Sequence, residues 1–247
     1  MAAPLTLFHV SDLHFGAEDR AALAWFAQAV ADTRPDAIIC TGDLTMRARH
    51  HEFAAAAAWL GALPAPVMVE PGNHDLPYFN LAERFLDPLA RYRKLRQAVN
   101  RALTLDGAAV IPLRTIARAQ WRLNWSKGHI DHAGLAQALA DLRASASAGI
   151  RLIACHHPLI EADTETTAST RGGKRALAAL AQAGADVVLS GHVHDAFDVV
   201  VNAGGKPIRL VGAGTLSERL RKTRPSFNRL EYSQGQGLRV QSEVMKG

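Results

Sequence analysis

Pro71-Gly72-Asn73-His74-Asp75, at the end of the apolar run Val67-Met68-Val69, is the stretch on which the fold reading turns. The apolar run predicts a short buried strand, Pro66 to Val69, and Leu76-Pro77-Tyr78 turns the chain away beyond the motif. Gly72 permits a turn at positive φ where the strand leaves its sheet. Asn73 then offers an amide oxygen, His74 an imidazole and Asp75 a carboxylate. The carboxyl ends of strands are where open α/β sheets build their sites. Whether these groups belong to a site depends on what the other strand ends bring.

Four further apolar runs end in the same manner. Leu5 to Val10 leads into Ser11-Asp12-Leu13-His14, and Ala37 to Thr41 into Gly42-Asp43. Ile150 to Cys155 leads into His156-His157-Pro158, and Val187 to Ser190 into Gly191-His192-Val193-His194. Between them apolar spacing predicts helices over Glu18–Ala31 and His132–Arg143, the run of alanines predicts one over Glu52–Leu60, and Lys174–Gln182 reads as a helix stopped at Gly184. Tyr78 to Arg101 reads as mostly helical, interrupted at Pro88. Ala108–Pro112 and Thr115–Ala117 read as strands, and Asp163 to Gly173 as a polar loop. The last quarter, Phe197–Asn202, Ile208–Gly212, Phe227–Tyr232 and Leu238–Val244, reads as a β-meander. Strands alternating with helices indicate α/β architecture, and with no repeat or linker a single domain over residues 1–247 is expected.

Composition limits the rest. The 247 residues are 48% apolar and 21% charged, ordinary values for a globular chain. The start, Met1-Ala2-Ala3-Pro4, lacks a signal-peptide pattern, and no window approaches a membrane span. The two cysteines, Cys40 and Cys155, sit in separate apolar strands, so a reducing, cytoplasmic setting is expected. The net charge of +5 is concentrated in 84–127 and 206–229. Such a field attracts anionic substrates, while the absence of a helix-turn-helix pattern or lysine-rich tail argues against dedicated nucleic-acid binding. Phe79, Phe85, Leu89 and Tyr92 could form a homodimer face, but core packing is the preferred reading.

A lone Asp-x-His or Gly-Asp means little; five ligand-bearing strand ends in order mean more. In extended chain, residues i and i+2 point the same way, so Asp12 with His14, and His192 with His194, could each aim two donors at one point. The donors are oxygen and nitrogen without thiolate, which suits Mn, Zn or Fe. His9, His50, His51, His129 and His132 have no partner pattern and read as ordinary core or surface histidines.

The order Asp12-x-His14, Gly42-Asp43, Gly72-Asn73-His74-Asp75, His156-x-Pro158, Gly191-His192-x-His194 resembles the calcineurin-like metallophosphoesterase superfamily. Val10 to Gly16 and Thr41 to Thr45 look most like its bacterial cyclic-nucleotide phosphodiesterases. The resemblance implies a four-layer α/β/β/α sandwich of mixed sheets with two divalent ions, Mn, Fe or Zn, at the strand ends. It implies Asp12, His14, Asp43 and His194 on one ion and Asp43, Asn73, His156 and His192 on the other, with Asp43 bridging. His157 would then serve in hydrogen bonds behind His156.

It further implies a bridging hydroxide as nucleophile, Asn73 also facing the phosphate, and His74 as donor to the leaving oxygen. Arg118, Arg219 and Arg221 are candidate contacts to a small anionic phosphoester. A 3′,5′-cyclic nucleotide is the first substrate expected. A larger ester or pyrophosphate, such as a nucleotide-sugar lipid precursor or a nucleic-acid end, is the alternative. Lipid-pathway pyrophosphatases of the superfamily typically carry Arg where this chain has His74, and capped nucleases are longer. A metal-free interaction scaffold is the reading from a different class.

Overall fold

The computed structural model describes residues 4–99, 103–117, 126–162, 164 and 170–246. Arg118, Trp121 and Trp125 lie outside the described residues, as do positions 163 and 165–169 of the expected loop Asp163–Gly173. In chain order the elements are β1 (Leu5–Val10), α1 (Arg20–Thr33), β2 (Ala37–Cys40), α2 (His50–Ala62) and β3 (Val67–Val69), then a 3-10 turn over Asn73–Asp75. There follow α3 (Leu81–Leu86), α4 (Ala90–Val99), β4 (Ala108–Pro112), α5 (His132–Ala144), β5 (Ile150–Ala154), α6 (Gly173–Gln182) and β6 (Val187–Ser190). Four longer strands close the chain: β7 (Phe197–Ala203), β8 (Lys206–Gly212), β9 (Ser226–Ser233) and β10 (Gly237–Val244).

Two five-stranded sheets result, ordered β10-β9-β1-β2-β3 and β4-β5-β6-β8-β7. Both are mixed: β1, β2 and β3 run parallel with β9 antiparallel at their side, and β4, β5, β6 and β8 run parallel with β7 antiparallel. The alternation of side chains sorts the apolar residues into three layers. Phe8, Ile38, Cys40 and Val67 face α1 and α2 through Phe26, Val30 and Leu60. Ile153, Val188 and Leu210 face α5 and α6 through Leu142, Leu177 and Leu180. Leu7, Ile39, Leu152, Leu189 and Val211 fill the space between the sheets. Each such fully buried aliphatic side chain contributes about 1.5–3 kcal/mol. Strands that need apolar residues on both faces read as continuous runs, and the order helix, sheet, sheet, helix is the expected sandwich.

Local chemistry sets the element ends. Asp19 caps α1 by accepting from Ala21 N and Ala22 N, and Asp131 caps α5 by accepting from Gly134 N. Asp87-Pro88 splits the expected Tyr78–Arg101 helix into α3 and α4. Leu89 and Tyr92 join the core, but Phe79 stays 72% and Phe85 45% exposed, so the core reading holds for only half of that set. Two expectations fail. Thr115–Ala117 is not a strand; it runs as irregular chain whose Thr115 carbonyl accepts from His129 N. The expected meander is two hairpins in different sheets, β7-β8 and β9-β10, because the chain crosses between sheets after Gly212. Periodicity of two reports a half-buried strand but not which sheet receives it. No helix among the described residues is long and apolar enough to cross a membrane.

Candidate metal centre

The parallel strands β1, β2, β3, β5 and β6 all present their carboxyl ends on one side of the sandwich. Pairing continues beyond β1 and β2, with Asp12 N donating to Gly42 O and His14 N to Asp43 O, both at 2.9 Å. Gly191 N donates to His156 O at 2.9 Å in the other sheet. Across the sheets, His192 N donates to Asp12 Oδ2 at 2.8 Å and His156 Nδ1 to Thr41 O at 2.8 Å. Thr215 Oγ1 donates to Asp12 O at 2.7 Å. The site therefore ties the two sheets together.

Backbone conformation differs from the extended geometry expected. Asp12 (φ 57°), His14 (φ 46°), Asp43 (φ 51°), His192 (φ 71°) and His194 (φ 61°) are all left-handed, a region that non-glycine residues seldom occupy. The paired donors of Asp12/His14 and His192/His194 converge through these turns, not through strand alternation. Gly72 also departs from expectation: its φ is −101°, and space, not positive φ, demands the glycine. A Cβ there would stand 2.1 Å from Asp43 Oδ1.

The side chains meet as follows. His194 Nε2 lies 3.0 Å and His14 Nε2 3.5 Å from Asp12 Oδ1, and the two Nε2 atoms are 3.2 Å apart. His156 Nε2 is 3.4 Å from Asp43 Oδ2 and 3.2 Å from Asn73 Oδ1. Asp43 Oδ2 lies 3.7 Å from His14 Nε2 and so stands between the two groups. The His192 ring packs 5.2 Å from that of His156. Groups drawn from Asp12, His14 and His194, and from Asp12, Asp43 and His156, keep their ligand atoms within 4.8 Å of one another and could hold metal ions.

Hydrogen-bond bookkeeping tests the fit. His194 spends its Nδ1 proton on Arg219 O (2.7 Å) and His156 its Nδ1 proton on Thr41 O (2.8 Å). In the neutral imidazoles that a metal requires, each Nε2 lone pair then faces carboxylate or amide oxygen, acceptor against acceptor, so that either a proton or a cation must sit between them. Asp12 Oδ1 is buried with no hydrogen-bond partner. A cation at each convergence point satisfies all of these lone pairs, and an all-O/N donor set suits Mn, Zn or Fe.

Electrostatics agree. Burial works against ionising Asp12, yet His194 and His14 hold its carboxyl well below the usual range. Asp43 is likewise held low, with His156 and His74 outweighing burial. Burial is opposed at His156 by Asp43, which raises the imidazole to about 9, whereas burial and the neighbouring His156 push His192 down to about 3. Two negative carboxylates set among imidazoles are a cation's environment.

Around this centre stand supporting groups. Asp75 is buried and accepts from Gly72 N, Leu44 N, Thr45 N and Thr45 Oγ1, which ties the third strand end to the second. Burial and Asp43 raise its carboxyl to about 6. His157 accepts from Thr115 Oγ1 at Nδ1 (2.9 Å) and donates from Nε2 to Ser126 O (2.8 Å). Both nitrogens are spent, so it lines the site without a free lone pair. His9 is a core histidine, bonded to Thr41 Oγ1 and Asn228. His50, His51 and His132 are exposed. His74 donates from Nδ1 to Met46 O (2.7 Å), and Arg219 Nη1 lies 3.0 Å from its Nε2. Arg219 thus reaches the site, while Arg221 is exposed and makes no hydrogen bond or ion pair among the described residues. The carbonyls of Thr41, Met46 and Arg219, which orient His156, His74 and His194, carry no sequence signal because every residue has one.

Comparison with known proteins agrees with this architecture. The family model described as "Calcineurin-like phosphoesterase" matches residues 5–196, and the chain belongs to that family. A glycerophosphodiester phosphodiesterase, GpdQ, of Enterobacter lignolyticus is 33% identical over 82 residues, covering 29% of this chain and 30% of that protein. A dimetal phosphatase from Danio rerio superposes with a TM-score of 0.71 at 12% identity, covering 99% of this chain and all of that one. GAP50, described as the anchor in the inner membrane complex of Plasmodium, superposes with a TM-score of 0.61 at 14% identity over 98% of this chain and 85% of that one. At these identities the two structures show the fold alone.

Proposed function

We propose that this chain is a phosphodiesterase that hydrolyses small anionic phosphodiesters with two divalent metal ions. The observation that carries this reading is the convergence of the Asp12, His14, His194 and the Asp43, Asn73, His156 donors on two adjacent points. His192 completes the second group and Asp43 lies between them. When bound, two such ions polarise phosphoryl oxygens and acidify water. The residues supply the rest. Asp75 and Thr45 hold the Gly72 turn so that Asn73 keeps its amide oxygen toward His156. Met46 O fixes the His74 ring, whose Nε2 edge faces Arg219 and the open side of the site. With Nδ1 donating to Met46 O, His74 Nε2 accepts from the Arg219 guanidinium; to donate to the leaving oxygen His74 must take up a second proton and Arg219 must turn from it toward the phosphate.

A diester is preferred to a monoester because the matched stretch resembles a glycerophosphodiester phosphodiesterase. Cyclic 3′,5′-nucleotides and glycerophosphodiesters are the first substrates to assay. The fold also serves as an anchor in GAP50, but a scaffold has no use for the unpaired acceptors around Asp12. The test is hydrolysis of bis-p-nitrophenyl phosphate against p-nitrophenyl phosphate after loading with Mn, Zn or Fe. The diester should be turned over faster, chelation should abolish turnover, and the Asp43→Ala variant should bind fewer than two ions by elemental analysis. A metal-loaded protein inert toward both esters would overturn the proposal.

A further inference from the structure

The two turns that carry Asp43 and His74 continue outward as the walls of a cavity of about 220 Å³, lined by Arg47, Arg49 and Arg91 and by the Pro77–Asn80 turn with Tyr78 and Phe79. The hydrogen bond from His74 Nδ1 to Met46 O pins the walls together at the inner end, beside the candidate leaving-group donor. Arg219, whose Nη1 lies 3.5 Å from Met46 Sδ, stands at the same end. Arg47 follows Met46 directly and Pro77 lies three residues beyond His74, so the cavity lining continues from the two turns joined by that hydrogen bond.

Its charges are unevenly committed. Arg91 is a tie in the wall, bonded to both Glu83 oxygens and to Ala48 O. Arg47 and Arg49 are different. Their backbone N–H groups are anchored on the buried Glu52 Oε2 at 2.8 and 3.1 Å. The Arg47 guanidinium is exposed and has no hydrogen bond or ion pair among the described residues, and Arg49 Nε reaches Glu52 Oε1 only at 4.0 Å. A fixed backbone presenting an unspent guanidinium is matched to a phosphate. Tyr78 and Phe79 are 58% and 72% exposed, with ring centroids 6.2 Å apart and planes inclined at 56°, so neither ring face is covered by the other. Exposed aromatic faces beside a cation are the elements with which proteins stack a base and hold its phosphate.

We propose that this cavity is a leaving-group subsite for a nucleoside that carries a second, terminal phosphate. The proposal rests on the phosphodiesterase reading and narrows its substrate class to linear phosphorylated dinucleotides. The volume supports part-burial: about 220 Å³ is below the roughly 300–1,000 Å³ that encloses a drug-sized ligand. The terminal phosphate sits at Arg47 and Arg49 while the base lies across Tyr78 and Phe79 at the rim. In the hydrolysis, water's oxygen bonds to phosphorus and the P–O bond to this nucleoside breaks. One water proton ends on the departing oxygen and the other passes to solvent. A glycerol leaving group would use neither the rings nor the free cation, and a cyclic nucleotide has no second phosphate to offer.

The experiment compares thymidylyl-thymidine bare, 5′-phosphorylated and 3′-phosphorylated, with bis-p-nitrophenyl phosphate as reference, all on the metal-loaded protein. One phosphorylated form should exceed the bare dinucleotide at least tenfold in kcat/KM, chiefly through KM. That preference should fall below threefold in the Arg47→Ala/Arg49→Ala variant and largely return in Arg47→Lys/Arg49→Lys. Equal rates for all three dinucleotides, or a preference that survives the double alanine variant, would overturn the subsite while leaving the diesterase reading intact. If no diester is turned over, that reading fails, and the subsite is judged by calorimetric titration with thymidine 3′,5′-bisphosphate. A tenfold weaker Kd in the double alanine variant supports it, and an unchanged Kd refutes it.

Discussion

His74 shows how one residue acquires a role from its two nitrogens. Nδ1 is committed to Met46 O, so only Nε2 is available on the open side, and Arg219 already approaches it at 3.0 Å. A positioned acid of this kind is worth roughly 10²–10⁴-fold where the leaving group is poor. His74→Ala should therefore lower kcat/KM for an alkyl phosphodiester by roughly a hundredfold or more, and for bis-p-nitrophenyl phosphate by about tenfold or less. Equal losses on both esters would assign His74 to positioning alone. Its neighbours were differently legible. Asp75 is visible in the sequence only as a polar turn residue, yet four donors converge on its buried carboxylate. Gly72 reads in the sequence as permitting a positive-φ turn, but what demands a glycine there is the clash a Cβ would make with Asp43 Oδ1, a tertiary contact.

At the scale of elements, the start of α2 links the site to its surroundings. Glu52 is buried at the third position of the helix and accepts from the N–H groups of Arg47 and Arg49. It therefore caps α2 and shapes the loop that follows Asp43 at the same time. Removing the acceptor leaves two donors short of a partner, so Glu52→Ala should cost about 2 kcal/mol in urea unfolding. Glu52→Gln, which keeps one oxygen, should cost less than half of that. An alanine variant as stable as the parent would show that water satisfies both donors. Apolar periodicity located α1 and α5 to within a few residues because each has one core face, while alanine propensity placed α2 and the stop at Gly184 placed α6. Periodicity could not separate α3 from α4 in detail, nor bury Phe79 and Phe85, because the partner surfaces of those side chains are set by neighbouring elements.

For the whole molecule, stability depends on a carboxyl that the site does not use. Glu70, at the end of β3, is buried, and burial raises it from 4.5 to about 8 against the pull of Arg114 and Arg96. The folded chain keeps this proton in a range where the unfolded chain has released it. The contribution is thus fully present below pH 4.5 and is lost as pH rises to about 8. Each unit of that difference is worth about 1.4 kcal/mol. Glu70→Gln should remove the loss: between pH 5 and pH 9 its urea midpoint should fall less than that of the parent. Identical pH slopes for the two proteins would mean that Glu70 is ionised in the folded state.

What the sequence determined by itself was the set of chemical groups and their order along the chain. Hydrophobic runs fix strand ends locally, and each ligand residue sits within a few positions of such an end, so one-dimensional spacing retains both. The α/β class and the family followed from that. What only the tertiary structure decided was convergence. The left-handed turns at Asp12, His14, Asp43, His192 and His194, the carbonyls that orient the imidazoles and the division of the last four strands between two sheets all depend on contacts between distant segments. The cavity lined by Arg47 and Tyr78 is of the same kind: the two stand far apart in the chain, and only the packing of their turns brings them to face one space.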